Sequence, residues 1–227
     1  MAPEGHRRPA LDARIHPCYG VFSPVRGEYI DLVATASFPA HGVRVAFDLG
    51  TGVLAALLAR RGVTQTVGTD TNPRAVACAH ANLTRLDLSD RVQVIQTDLY
   101  PPGWADLIVC NPPWLPARPT STLETAIYDP GSDMLHRFLD GLADHLTPGG
   151  EGWLILSDLA EHLGLRTRDD LLRHIAAAGL RVVDRHDTAP RHPRASDPTD
   201  ALHAARQREV TSLWRLVLDN AIPPAAR

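Results

Sequence analysis

Four short apolar runs, each ending on a polar residue, set the strongest limit on how this chain folds. They lie at 43–49, 63–68, 92–97 and 105–110, and close on Asp48 with Gly50, on Thr69-Asp70, on Asp98 and on Asn111. The segments between them have helical spacing. One covers 53–61 and is closed by Gly62. Another runs from Pro73 to about Leu86, with Asn72 placed as N-cap and proline at the first helical position. Strands that alternate with helices through short turns specify an open parallel α/β sheet with helices on both faces. Ligands of such sheets bind beyond the C-terminal strand ends, where all four polar residues fall.

The flanking sequence completes the layout. Residues 1–20 read as an irregular lead-in, 21–220 as one domain and 221–227 as a tail. Tyr29, Ile30, Val33 and Ala34 give a helical pattern within 26–38. After residue 114 a polar, Pro-rich loop extends to about Gly131. Ser132 is then placed to cap a helix carrying Leu135, Phe138, Leu139, Leu142 and Leu146 on one face. Residues 147–150 read as a turn and 152–157 as a fifth strand. Thr167 opens a helix that Gly179 closes. Two late strands, 180–187 and 210–219, have no obvious crossover helix, so the expected architecture is a Rossmann-like, seven-stranded, mostly parallel sheet with an antiparallel edge strand. The connection between the late strands contains Arg191, Arg194, Arg206 and Arg208.

Composition narrows the function classes. A chain of 227 residues with 44% hydrophobic residues can build a large core. A net charge of -3 argues against a wide nucleic-acid-binding surface, although it permits a local basic patch. Lysine is absent, so all 23 basic residues are arginine. Cys18, Cys78 and Cys110 lack metal-ligand spacing, and two sit in apolar runs, which reads as buried thiols in a reducing compartment. The N-terminus has no apolar signal-type core and no run reaches membrane-spanning length. A cytoplasmic protein without a membrane anchor or a metal is the expectation.

The strand ends carry the chemistry. Asp48-Leu49-Gly50-Thr51-Gly52 is a tight glycine turn that lets backbone approach a ligand. Asp70 falls about 20 residues further on, where an acidic residue binds ribose hydroxyls. Leu54 stands where a pyrophosphate loop would want its third glycine. A cofactor without phosphates does not need it, so NAD and an S-adenosyl cofactor both remain possible at this point. Asp98 is placed to accept an adenine amino group, and Thr71 to touch the cofactor through the loop after Asp70. Asn111-Pro112-Pro113-Trp114 is a stiff turn, because each proline fixes φ and lacks an N–H. Its Asn111 side-chain oxygen and Pro112 carbonyl can accept both hydrogens of a planar NH2 group, with Trp114 stacked on the plane. None of the eleven histidines is needed as a general base. Trp153 and Trp214 are read as core.

Together, Phe47-Asp48-Leu49-Gly50-Thr51-Gly52, Asp70, Asp98-Leu99-Tyr100 and the 106–114 segment ending in Asn111-Pro112-Pro113-Trp114 resemble class I S-adenosylmethionine-dependent methyltransferases. The similarity covers about residues 20–218. It is greatest to the branch with an Asn-Pro-Pro-aromatic motif, which contains glutamine-N5 protein methyltransferases of the release-factor type and amino-methyltransferases of nucleobases. Val21-Phe22-Ser23-Pro24 is similar to that branch's lead-in, and Asp129-Pro130-Gly131-Ser132-Asp133 to its Gly-Gly-x-Asp segment, with Asp129-Pro130 replacing the first glycine. The glycine motif is shorter than the family pattern.

The resemblance implies S-adenosyl-L-methionine as cofactor and S-adenosyl-L-homocysteine as product. It assigns Asp48, Gly50, Thr51, Gly52, Asp70, Thr71, Asp98, Leu99 and Asn111 to the cofactor. It assigns Asn111, Pro112 and Trp114 to catalysis, and Pro113, Trp114 and Asp133 to the substrate. A protein glutamine amide is the leading acceptor, with a nucleobase amino group of RNA or DNA as the alternative. A small-molecule amine and a non-catalytic scaffold that keeps the fold are further readings. The compact length is similar to family members that work with a small activating subunit.

Overall fold

The computed structural model describes residues 6–8, 11, 13–16, 18, 27–50, 52–116, 128–191, 199 and 202–219. In chain order the elements are β1 (His6–Arg8), β2 (Ala13–Ile15), α1 (Glu28–Thr35), β3 (Val45–Leu49), α2 (Val53–Arg60), β4 (Gln65–Asp70), α3 (Pro73–Arg85), β5 (Val92–Gln96) and β6 (Ala105–Cys110). A 3-10 turn (Pro130–Ser132) leads to α4 (Asp133–His145), β7 (Leu146–Ser157), α5 (Leu159–His162), α6 (Arg168–Ala177), β8 (Leu180–Thr188), α7 (His203–Arg206) and β9 (Thr211–Leu218).

Seven strands form one sheet in the order β5-β4-β3-β6-β7-β9-β8. Strands β3 to β7 pair in parallel. Strand β9 runs antiparallel to both β7 and β8, so it lies one place in from the edge. Composition explains this order. The first six residues of β9 are Thr-Ser-Leu-Trp-Arg-Leu, of which five are buried. Strand β8 carries Arg181, Asp184, Arg185, His186 and Asp187 and leaves most of its residues partly or fully exposed. A charged strand belongs at the edge, where it also discourages pairing with other chains.

Helices α1, α2 and α3 cover one face of the sheet around Ile30, Val33, Leu57, Leu58, Leu83 and Trp153. Helices α4 and α6 cover the other around Phe138, Leu139, Leu142, Leu171 and Trp214. Trp153 is fully buried and Trp214 nearly so, as expected for core residues. The indole of Trp153 donates to Glu151 Oε2 at 2.9 Å, and Glu151 accepts two bonds from Arg215 at 2.8 and 2.9 Å. This group clamps β7 to β9.

Three local features depart from the sequence-based layout. Within the first twenty residues, β1 and β2 form an antiparallel ladder, and Leu11 and Ile15 are buried in the core. Three-residue strands are too short for a periodic signal to reveal them. The expected cap of α4, Ser132, makes no capping bond. Asp129 accepts from the N–H groups of Met134 and Leu135 at 3.0 and 3.2 Å instead. Gly131 and Ser132 both have positive φ, which folds Asp129 back over the helix end. The expected turn at 147–150 is absorbed into β7 as an irregularity, since Ala105 pairs with Leu146 and Leu107 with Glu151. Cys78 and Cys110 are buried as expected, whereas Cys18 is exposed. No helix among the described residues is long and apolar enough to cross a membrane.

Helix α4 reaches the sheet closely because β7 has glycine at 152. A Cβ there would sit 2.2 Å from Leu142 Cδ2 and 3.1 Å from its Cγ. Leu142 is fully buried. Gly152→Ala is therefore expected to lower stability by about 1–3 kcal/mol, read as a shifted urea midpoint at unchanged slope. A loss below about 0.5 kcal/mol would contradict this packing.

Candidate active site

The parallel ladders align the four polar strand ends. Asp48 pairs across from Gly68, Leu49 from Thr69 and from Cys110, and Asp70 from Gln96. The order β5-β4-β3-β6 therefore puts Asp98, Asp70, the Gly50–Gly52 turn and Asn111 in sequence along one edge. The chain builds outward from β3 through β4 to β5, then returns to the other side of β3 with β6. That reversal opens a crevice at the C-terminal ends of β3 and β6.

Asp48 is buried at 2% exposure. Its Oδ2 accepts from Ala55 N at 2.8 Å, so it caps α2 from inside. Burial raises its pKa to about 7, partly offset by the Ala55 N–H, and nearby Asp70 adds to the rise. Gly52 precedes α2 with φ 83, and a Cβ there would lie 3.1 Å from Ala79 Cβ. Only glycine fits this turn comfortably. Thr51 lies outside the described residues, as do Val21 to Pro24.

Asp70 ends β4, half-buried, and its Oδ1 accepts from Asn72 N at 2.8 Å. Burial raises its pKa above the usual carboxylate range. Asn72 caps α3 through Arg74 N at 3.0 Å. Thr71 is exposed, and its carbonyl accepts from Gln96 Nε2 at 3.2 Å. Leu99 has φ 66, a strained conformation for leucine. The buried hydroxyl of Thr69 holds its carbonyl at 2.6 Å, tying the loop after β5 to the end of β4.

Asn111 follows β6 directly. Trp114 Nε1 donates to its Oδ1 at 2.9 Å. Indole N–H is only a donor, so this bond identifies the amide oxygen and fixes its direction. A carbonyl oxygen has a second lone pair and can accept another donor. Pro112 is buried, and Trp114 packs against both halves of the core while remaining partly accessible. Two prolines, the Trp114 indole and its bond to Asn111 thus help hold the loop.

Two expected site residues share one surface partner. Asp98 pairs with Arg137 at 2.6 Å, and Asp133 pairs with the same guanidinium at 3.4 Å. Both carboxylates are exposed. The structure therefore joins them through Arg137, a residue the sequence reading passed over. Asp129 was also missed as a cap. Its position before a Pro-Gly pair and four residues ahead of a helix was the available signal.

The chain matches the methyltransferase small domain family over residues 13–175 and belongs to it. It is 35% identical over 98 residues to a release factor glutamine methyltransferase of Caulobacter vibrioides, covering 40% of this chain and 34% of that protein. It is 28% identical over 166 residues to a ribosomal RNA small subunit methyltransferase C of Alcanivorax borkumensis, covering 70% of this chain and 46% of that protein. The chain thus spans between a third and a half of these relatives' lengths. A methyltransferase of Pyrococcus furiosus shares the fold at a TM-score of 0.59 and 19% identity, covering 91% of this chain and 88% of that one.

The burial of Asp48 has a consequence for stability. Its folded pKa of about 7 exceeds the unfolded value of about 4. The folded state then holds the proton more tightly. The stability from that proton is full below about pH 4 and is lost as pH rises towards about 7, with no further change above. Asp48→Asn keeps an oxygen for Ala55 N and removes the titration. Relative to the variant, the wild type should lose a few kcal/mol between about pH 4.5 and about pH 8, measured by urea unfolding. Parallel pH profiles would contradict the buried carboxylate.

Proposed function

We propose that the protein is an S-adenosylmethionine-dependent N-methyltransferase whose acceptor is a glutamine side-chain amide of a protein. The observation that carries this reading is the Asn111 amide oxygen, held by Trp114 Nε1 at 2.9 Å at the end of β6. Family membership and the release factor glutamine methyltransferase relative support it.

The residues fit the cofactor. The glycine turn brings backbone close to the crevice without side chains. Asp70 offers a half-buried carboxylate for ribose hydroxyls, beside the strained Leu99 backbone. Asp48 acts behind this surface by holding α2 and the glycine turn in place. When bound, S-adenosylmethionine supplies a methyl group already activated on a sulfonium. The protein's own task is to position the acceptor.

An amide nitrogen is a poor nucleophile because its lone pair is delocalised. Asn111 Oδ1 and the Pro112 carbonyl accept the two N–H hydrogens and direct the nitrogen lone pair into the crevice. The same acceptors stabilise positive charge that grows on nitrogen during transfer. Trp114 keeps Asn111 oriented and offers its partly accessible face to the planar group. Loss of the amide proton after transfer needs no dedicated base.

The ribosomal RNA relative favours a nucleobase acceptor as second reading. The arginines in β8 and in the connection to β9 give it little support. Arg185 pairs with Asp187, and Arg191 pairs with Asp31 at 3.3 Å. Arg208 Nε donates to the Ala204 carbonyl at 3.3 Å, and Arg194 lies outside the described residues.

Asn111→Ala should lower kcat by at least about 100-fold while cofactor affinity changes by no more than about threefold. Trp114→Phe keeps the ring but removes the donor, and is expected to lie between wild type and Asn111→Ala. Asp70→Ala should weaken cofactor binding by roughly 10-fold or more, from loss of a charged acceptor. Calorimetric titration with S-adenosylhomocysteine and single-turnover transfer separate these effects. Equal loss of binding and transfer in Asn111→Ala would make that residue structural.

A further inference from the structure

A cavity of about 600 Å³ lies outside the row of strand-end residues, between α4 and α6. Pro116, Gly131 and Ser132 line one end of it. Because β6, β7 and β8 run the same way, α4 and α6 both start at the C-terminal edge of the sheet. The cavity therefore opens at the same edge as Asn111, along the loop that continues from Trp114 to Pro116.

Its walls combine leucines with an arginine that has no salt bridge among the described residues. Leu135, Leu139, Leu165 and Leu171 line it, and Leu165 is 49% exposed. Arg166 lines it too. Its Nε is buried without a partner among the described residues, and its Nη2 reaches only the Ser157 carbonyl at 3.4 Å. The carboxylates around it are engaged elsewhere. Asp129 caps α4, Glu161 pairs with Arg168 at 2.8 Å, and Asp170 closes the capping box of α6 and pairs with Arg173. His136 and His174 line the wall and stack at 4.4 Å, with His174 bonded to Asp140 at 2.8 Å. Burial lowers the pKa of Arg166, and the Glu161 and Asp129 carboxylates near it only partly offset that desolvation. A guanidinium with a buried, unused N–H is a strong hydrogen-bond donor to an oxyanion.

We infer that this cavity is a docking site for an acidic and apolar segment of the protein substrate, with one carboxylate seated on Arg166 and apolar side chains among the leucines. The inference rests on the protein-amide reading above. A carboxylate suits the wall better than a phosphate chain does. Among the described residues that line it, Arg166 is the one cation without a close ion pair, and Asp170 adds a carboxylate to the lining. Repeated phosphates would meet the leucines and that carboxylate. The segment would lie close to the residue whose amide reaches Asn111, so it would set which glutamine is chosen.

The test uses the full chain, with imidazole resonances of His136 and His174 followed by NMR. One probe is an acetylated, amidated hexapeptide of alternating Leu and Glu. The second has Gln in place of Glu. The expected result is saturable shifts of both histidines with the Glu peptide, and at least about tenfold weaker binding of the Gln peptide. Arg166→Gln should abolish the preference for Glu. His136→Glu, which removes no hydrogen bond present in the structure, should weaken the Glu peptide as well. Titration with S-adenosylhomocysteine checks that both variants remain folded. Equal affinity for the two peptides, or shifts with neither, would overturn the inference. So would shifts produced by a short oligoribonucleotide or inorganic phosphate and not by the Glu peptide. No methyl transfer enters the readout, so a failed amide acceptor and a failed docking site give different results.

Discussion

Parallel strands cannot be joined by hairpins, because each connection must cross back over the sheet before the next strand begins. That backbone constraint gathers every C-terminal strand end on one edge. Here the ladders hold Asp70, Leu49 and Cys110 within one or two residues of a common level. The reversal of strand order beside β3 then leaves a crevice no side chain needs to build. The residues after β3, β4 and β6 fall into it by hydrogen-bond register alone.

Within that crevice, the fold places rigid backbone and few mobile groups. Asp48 is withdrawn beneath α2, where its carboxylate caps the helix at the cost of desolvation. Gly52 keeps the turn open against Ala79. Thr69 fixes the strained Leu99 backbone. At Asn111 the two prolines remove backbone freedom and Trp114 removes side-chain freedom. An acceptor of this kind loses little entropy when a donor arrives, and transition-state stabilisation depends on such preorganisation.

Much of this was legible in the sequence. The runs at 43–49, 63–70, 92–98 and 105–111 combine apolar residues with polar ends, and their order predicts both sheet and site edge. Asn72-Pro73 and Thr167 announced real helix starts. What escaped notice depends on contacts distant in sequence or on backbone geometry. Arg137 meets Asp98 across 39 residues. Asp129 caps α4 only because Gly131 and Ser132 both turn left-handed. Strand β9 moves inside β8 because burial favours its apolar residues, and a linear pattern does not rank strands against each other. Asp48 was visible as a site residue, but its inward direction was not.

The central claim is that Asn111 presents a planar nitrogen of a protein to an activated methyl group. The most direct measurement incubates the purified protein with methyl-labelled S-adenosylmethionine and a cell extract, then divides the labelled material between protease and nuclease. Label released by protease, mapping to N5-methylglutamine and absent with Asn111→Ala, is the predicted result. Label released by nuclease, or protein label that persists in the Asn111 variant, would contradict it.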